Sequence, residues 1–413
     1  HFTDRRQRQM CIRDRNSAGA TYTLNSSLSS SGSCLLIHAD NITLDCNGYN
    51  LSYGGSSQGY GVYTNASRTA VRNCVINQQN GSLSSSYGVY GDSATSMVVS
   101  NNTFIVNGSD QYAVYIQSGS NHTVFGNRMN VSGSSSGSVY IDATNATISS
   151  NDMYVLDSAR YGVYATSGAS DILVFNNTIR ATSSSSDLIY FDESTLINVS
   201  LNNLTCVYNS CFLVRIELGS SNTVYNNIFN VSGTGSYGIY ANEATNNSFL
   251  ENTLTAASSA IPLYVSRATN NNATQNVISV LSASGYGVLS HLSNNNYFDL
   301  NNITLHSNNA FGFYMNRSNA SNMSHNTITL LSYKSHGVYL EHAYTARIMN
   351  NTISTSDLYS TGVNASDATM TAELNDISVA AGVGEGETHG VGFFLLNVSN
   401  SSFASNVVNV SIE

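Results

Sequence analysis

The chain has 413 residues, 15 Lys and Arg against 25 Asp and Glu, and a formal net charge of −10 at pH 7. Charged residues make up only 10% of it, far below the usual quarter, and Ser, Thr, Asn and Gly fill their place. An acidic chain this poor in Lys lacks a phosphate-binding face, so nucleic acid is not an expected partner, and no apolar run is long enough for a membrane helix.

The first fifteen residues, HFTDRRQRQMCIRDR, are unlike everything after them and hold Arg5, Arg6, Arg8, Arg13 and Arg15. Residues 5–15 back-translate into a common transposase sequencing adapter. Residues 1–15 are therefore expected to be foreign, and residues 16–413 to be a β-helix whose native N-terminus is missing and whose C-terminus is open to truncation. Without that segment 10 Lys/Arg face 23 Asp/Glu, a balance of −13, and five cysteines remain.

The rest of the chain is a repeat. One Asn recurs at Asn73, Asn102, Asn127, Asn151, Asn177, Asn202, Asn227, Asn252, Asn276, Asn301, Asn326, Asn351, Asn375 and Asn406, at steps of about 25 residues. An apolar residue stands three positions before each Asn and another two positions after it. About twelve residues earlier comes a Gly-Val-Tyr signal, as at Gly88-Val89-Tyr90, Gly162-Val163-Tyr164 and Gly337-Val338-Tyr339. Apolar runs of three to five residues broken by corners at constant spacing do not have helical periodicity. Three short strands per 25-residue turn predict an all-β, right-handed parallel β-helix of about 15 coils. Stacked coils place each Asn over the last, with the Asn tolerating left-handed backbone at the corner and its amide bonding to the next Asn. The single proline, Pro262, fits a sheet that needs nearly every backbone N–H.

The pattern NxTI after GVYxxxSxxxxI resembles the repeat of the pectin-lyase-like superfamily. The opening coil from Cys34 to Gly48 is similar to the first coil of NosD-like and archaeal cell-surface β-helix proteins. The resemblance covers roughly residues 30 to 410. It implies the fold and leaves the activity open, since that superfamily holds lyases, hydrolases, epimerases, adhesins and surface-layer proteins.

Its catalytic patterns are not matched. There is no Asp-Asp and no Asn-Thr-Asp, His336-Gly337 and His389-Gly390 have no acids in register, and Lys334 is the one Lys. The best remaining chemistry is a face three residues after the Tyr column: Glu193, Glu217, Glu243 and Arg267 in four successive turns, near Asp142 and Asp192. Stacked carboxylates at roughly 5 and 10 Å would suit a glycosidase, or hold Ca²⁺. The plainer alternative is solvated turn residues. A second candidate is the Tyr column itself, including Tyr115, Tyr140, Tyr164, Tyr190, Tyr240 and Tyr264. Apolar neighbours on both sides place these rings outside, either as a self-stacking ladder or as a stripe that stacks on sugar rings. The loop GVGEGETHG brings Glu385, Glu387 and His389 together, which reads as solvated rather than metal-binding.

Cys206 and Cys211 flank one corner and form a candidate disulfide; Cys34, Cys46 and Cys74 lie in the first coils, where a staple would resist fraying. Disulfides and the many Asn-x-Ser/Thr sequons, among them Asn41, Asn65, Asn107, Asn121, Asn145, Asn198 and Asn302, agree with an extracytoplasmic surface. The leading expectation is a secreted or cell-surface protein with a structural, adhesive or glycan- or partner-binding role, without catalysis, cofactor or metal. The alternative is a polysaccharide-acting enzyme on the Glu193/Glu217/Glu243 face, with Ca²⁺ belonging to that reading alone.

Overall fold

The computed structural model describes residues 13–281, 283–356, 359–381 and 390–412. These residues form 48 strands and no helix, the about 15 turns of a right-handed parallel β-solenoid at about 25 residues per coil. Contacts divide it into two compact units, His1–Leu204 and Thr205–Glu413.

Both units are built from the same coil. In the first, Tyr87–Gly91 belongs to one sheet (sheet A), Val98–Ser100 to a second (B) and Thr103–Val106 to a third (C). The next coil repeats them as Tyr112–Ile116, Thr123–Phe125 and Arg128–Ser132. Pairing is parallel and in register, Val89 with Val114, Val99 with Val124, Phe104 with Met129. In the second unit Phe311–Asn316, Asn322–Ser324 and Thr327–Leu330 do the same work. The inward columns, such as Val89, Val114, Val139 and Val163, are fully buried, because strand alternation sends every second side chain to the core. The Gly of the Gly-Val-Tyr signal has its own cause. A Cβ on Gly312 would lie 2.5 Å from the Gly337 carbonyl oxygen and 2.8 Å from Ile328 Cγ2, so the strand can approach its neighbour closely only without one.

The Asn ladder forms as expected. In the first unit Asn102, Asn127, Asn151, Asn177 and Asn202 are buried, and each hands its backbone N–H to the side-chain oxygen of the next, as Asn127 does to Asn151 at 3.0 Å. In the second unit the chain of bonds runs through Asn227, Asn252, Asn276, Asn301, Asn326, Asn351, Asn375 and Asn406.

Two details of the expectation are corrected. The left-handed backbone does not belong to the ladder Asn but to the residue before it: Asn101, Gly126, Ser150, Asn176 and Leu300 all have φ near +55° to +65°. Even Leu is held there, because the ladder amides and stacked strands on both sides fix the corner. Asn73 is likewise not a ladder member. It has φ +55°, and the N–H that reaches Asn102 comes from Cys74, so Cys74 occupies the ladder position in that coil.

A second ladder went unnoticed in the sequence. Five residues before the first, Asn222, Asn247, Asn271 and Asn296 are buried and joined amide to amide at 2.9 Å through their backbone N–H groups. Within the segment expected to be foreign, Arg13–Arg15 pairs as a strand with Leu35–Ile37; backbone pairing of this kind does not depend on side-chain identity.

Candidate functional site

Strand register decides the carboxylate face. Glu217 ends the strand Phe212–Glu217, where Arg215 pairs with Tyr240 and Glu217 pairs with Asn242. The residue in line with Glu243 is therefore Leu218, and both take the left-handed corner conformation, at φ +54° and +51°. The expected three-carboxylate stack does not form. The reason is local: that coil has Arg215 where its neighbours have Tyr, so the sequence offered no Tyr from which to count. Glu217 instead lies on the outer face two residues from Arg215, whose guanidinium donates to its Oε1 at 2.6 and 3.1 Å.

Glu243 and Arg267 do fall in line, and their side chains meet at 3.5 Å with both well exposed to solvent. An ion pair so placed contributes little. Glu193 stands exposed at a corner of the first unit, at φ +53°. Glu217 and Glu243 thus each have an Arg partner, which is the arrangement of surface ion pairs rather than of a general acid facing a base. Glu385, Glu387 and His389 lie outside the described residues. Among the described residues no three His, Cys, Asp or Glu side chains are grouped to hold a metal.

The Tyr column is outward, as expected, and in register: Tyr63, Tyr90, Tyr115, Tyr140, Tyr164 and Tyr190 in the first unit. It does not stand alone. Three residues earlier a parallel column of Tyr60, Tyr87, Tyr112 and Tyr161 faces the same side, so the stripe is two rings wide. The signal was in the sequence, as YGVY at Tyr60, Tyr87 and Tyr161.

Packing within the stripe is tight enough to bury Tyr112, Tyr161 and Tyr190 on what is formally an outer face. Tyr115 and Tyr140 stack with centroids 4.1 Å apart and planes 1° apart, and Tyr164 and Tyr190 at 5.1 Å and 5°. Those faces are consumed by each other and are not free for a sugar ring. Tyr90 stands edge-on to Tyr63 and to Tyr115, at 66° and 75°. In the second unit Tyr240 is edge-on to Tyr264 at 65°.

What the stripe presents outward is a row of phenol hydroxyls met by acceptors one coil on. Tyr63 donates to Asp92 at 3.0 Å, Tyr90 to Gln117, and Tyr314 to Glu341. Burial, followed by the neighbouring acid, pushes the phenols of Tyr90 and Tyr164 up to about 12; burial, then the hydrogen bond to Glu341, does the same for Tyr314. They stay neutral donors at any physiological pH. The His of His336-Gly337 belongs to this stripe too. It stacks on Phe311 at 5.2 Å, and burial lowers its pKa to about 4.

A shallow depression in the second unit is lined by Leu292, Arg317, Asn319, His342 and Tyr344. It carries no acid–base pair.

Disulfides join Cys46 to Cys74 and Cys206 to Cys211. The second is the pair that the corner spacing indicated.

Two family models match the chain, each over less than half of it: "Right handed beta helix region" over residues 11–179 and "Periplasmic copper-binding protein (NosD)" over residues 230–378. No curated protein sequence matches. Among solved structures, a DFA-IIIase of Arthrobacter chlorophenolicus A6 without its lid is similar at 13% identity and TM-score 0.38, over 67% of this chain and 69% of that one. The surface adhesin PfbA of Streptococcus pneumoniae is similar at 12% and 0.36, over 83% of both chains. A periplasmic alginate epimerase, AlgG, is similar at 12% and 0.33, over 96% of this chain and 79% of that one. Likeness at this level concerns the shape of the coil and carries nothing about activity.

Proposed function

We propose that this chain, a right-handed parallel β-helix repeat protein, works as a secreted or cell-surface structural or adhesive element that holds a glycan or a partner protein without chemically altering it. The observation that carries this reading is the double Tyr stripe on sheet A. It is a row of tyrosines at one-coil spacing whose hydroxyls donate to Asp92, Gln117 and Glu341, so that phenol, amide and carboxylate oxygens face outward as acceptors, backed by rings that pack on one another. Such a surface recognises an extended ligand by repeated hydrogen bonds along its length, and preorganisation keeps the ordering cost low. Tyr90 and Tyr240 are tilted or edge-on to their ring neighbours rather than stacked face to face. Disulfides agree with an extracytoplasmic location.

The test is retention of neutral and acidic polysaccharides by residues 16–413, read together with released reducing or unsaturated ends. Binding without release is expected, weakened at least about tenfold by Tyr90→Ala or Tyr240→Ala, a loss of roughly 1.4 kcal/mol each. Release that vanishes in Glu217→Gln would replace this reading with a polysaccharide-acting enzyme.

A further inference from the structure

The Asn residues of this chain fall into two populations, one buried and one not. Of its 54 Asn, 16 are buried, and none of these is followed two residues later by Ser or Thr. Of the 38 that are not buried, 25 are. Part of the contrast is architectural. Two residues after a ladder Asn the side chain enters the core, as Phe104 does after Asn102, and a hydroxyl there would be buried without need.

The other part has no such cause. Outward positions are also occupied by carboxylates, which share the corners and strand ends with Asn. Among the 19 Asp and Glu that are described and not buried, only seven have Ser or Thr two residues on. The hydroxyl therefore accompanies 25 of 38 Asn that are not buried but only seven of 19 carboxylates that stand in the same kinds of place. An Asn-x-Ser/Thr triplet is the acceptor unit for N-linked glycans, and a glycan can be carried only where the folded chain leaves room.

We propose that the chain is N-glycosylated at these exposed triplets, and that in the first unit the modification leaves sheet A bare. The acceptors lie at corners, such as Asn65, Asn121 and Asn145, on sheet B at Asn198, and on sheet C at Asn130, Asn230 and Asn302. Sheet A of the first unit, which carries the Tyr stripe, has no Asn in any of its strands. Glycans would thus surround the aromatic face of the first unit, while in the second unit Asn316 and Asn364 place acceptors on sheet A itself. The donor is a lipid-linked oligosaccharide phosphate. The bond from its anomeric carbon to the lipid phosphate oxygen breaks, a bond to the Asn amide nitrogen forms, the amide gives up one proton, and the lipid phosphate departs. No electrons are exchanged.

The proposal shares only the extracytoplasmic location with the binding role above, and the two tests fail separately. The full chain is secreted from a eukaryotic cell line, and glycopeptides are mapped after enzymatic release in heavy-oxygen water. Expected is occupancy at several of Asn65, Asn121, Asn145, Asn198 and Asn302, with each of Thr123→Ala and Thr147→Ala removing the mass of one glycan. Thr123→Ser, which keeps the acceptor hydroxyl, retains that glycan and controls for a variant that folds badly. A secreted, protease-resistant chain with the bare polypeptide mass overturns the proposal, as does a mass unchanged by both alanine variants.

Discussion

Asn301→Ala is the sharpest test of what holds the coils together. The Asn301 amide is 1% exposed and makes four bonds. Its oxygen accepts from the Asn276 backbone N–H at 3.0 Å and from the Asn276 side chain at 2.9 Å, and its nitrogen donates to the Ala273 carbonyl at 2.8 Å and to Asn326 at 3.0 Å. Three of these, at roughly 1 kcal/mol each, are simply lost, while the fourth leaves the Asn276 N–H without its acceptor in the interior, a further cost of roughly 1–3 kcal/mol. The sum is about 4–6 kcal/mol. Asn302, the next residue, is exposed, and Asn302→Ala should change stability by no more than about 0.5 kcal/mol. Urea unfolding at constant slope reads both. Because each coil touches mainly its neighbours, the loss should be localised, appearing first as faster amide exchange in the coils around Asn276 and Asn326. If Asn301→Ala proves as mild as Asn302→Ala, the ladder is a by-product of the corner rather than its support.

Acid should weaken the fold through two histidines. Burial lowers the pKa of His122 to about 4, against an ordinary 6.5, outweighing the hydrogen bond with the Ser118 backbone that works the other way. The native state thus binds fewer protons than the unfolded one between these values, so stability is complete above pH 6.5 and falls as pH drops toward 4. The loss is about 3 kcal/mol for His122, with His336 adding in the same direction; thermal melts from pH 7.5 to 4 should show it, and His122→Leu should flatten the curve. These disulfides, Cys46–Cys74 and Cys206–Cys211, should differ with the length of loop each closes. Cys46–Cys74 spans 28 residues and Cys206–Cys211 only 5, so the chain-entropy estimate is about 3.6 against about 2 kcal/mol. Replacing the first pair by Ala should lower the melting temperature of its own unit more than replacing the second does; equal effects would contradict the entropic account.

The fold was legible because the coil repeats one problem of burial. Val99, Asn102 and Phe104 solve it, and Val124, Asn127 and Met129 solve it again, so period and alternation alone expose three strands and a ladder. Position within the coil was less secure wherever a marker residue was absent. With Arg215 in place of Tyr, Glu217 was set one residue out of line, and an Asn at 73 stood in for Cys74. The second ladder was missed because its column holds other residues in the first unit, His122 and Ile172 among them, and only burial shows that Asn222 and Asn247 occupy the same place. The outer Tyr column was visible in YGVY, but not that the two columns would close on each other.

Sequence by itself determined the period, the strand faces and the residues that cannot leave the core, since these follow from short-range alternation and the demand that buried polar groups be paired. Tertiary structure decided what the outer face offers. Whether Tyr115 presents a ring or an edge, and which Asn is buried beyond the reach of modification, depend on neighbours one coil away. Such contacts are set by coil stacking, and a one-residue change of register turns an aligned pair into strangers.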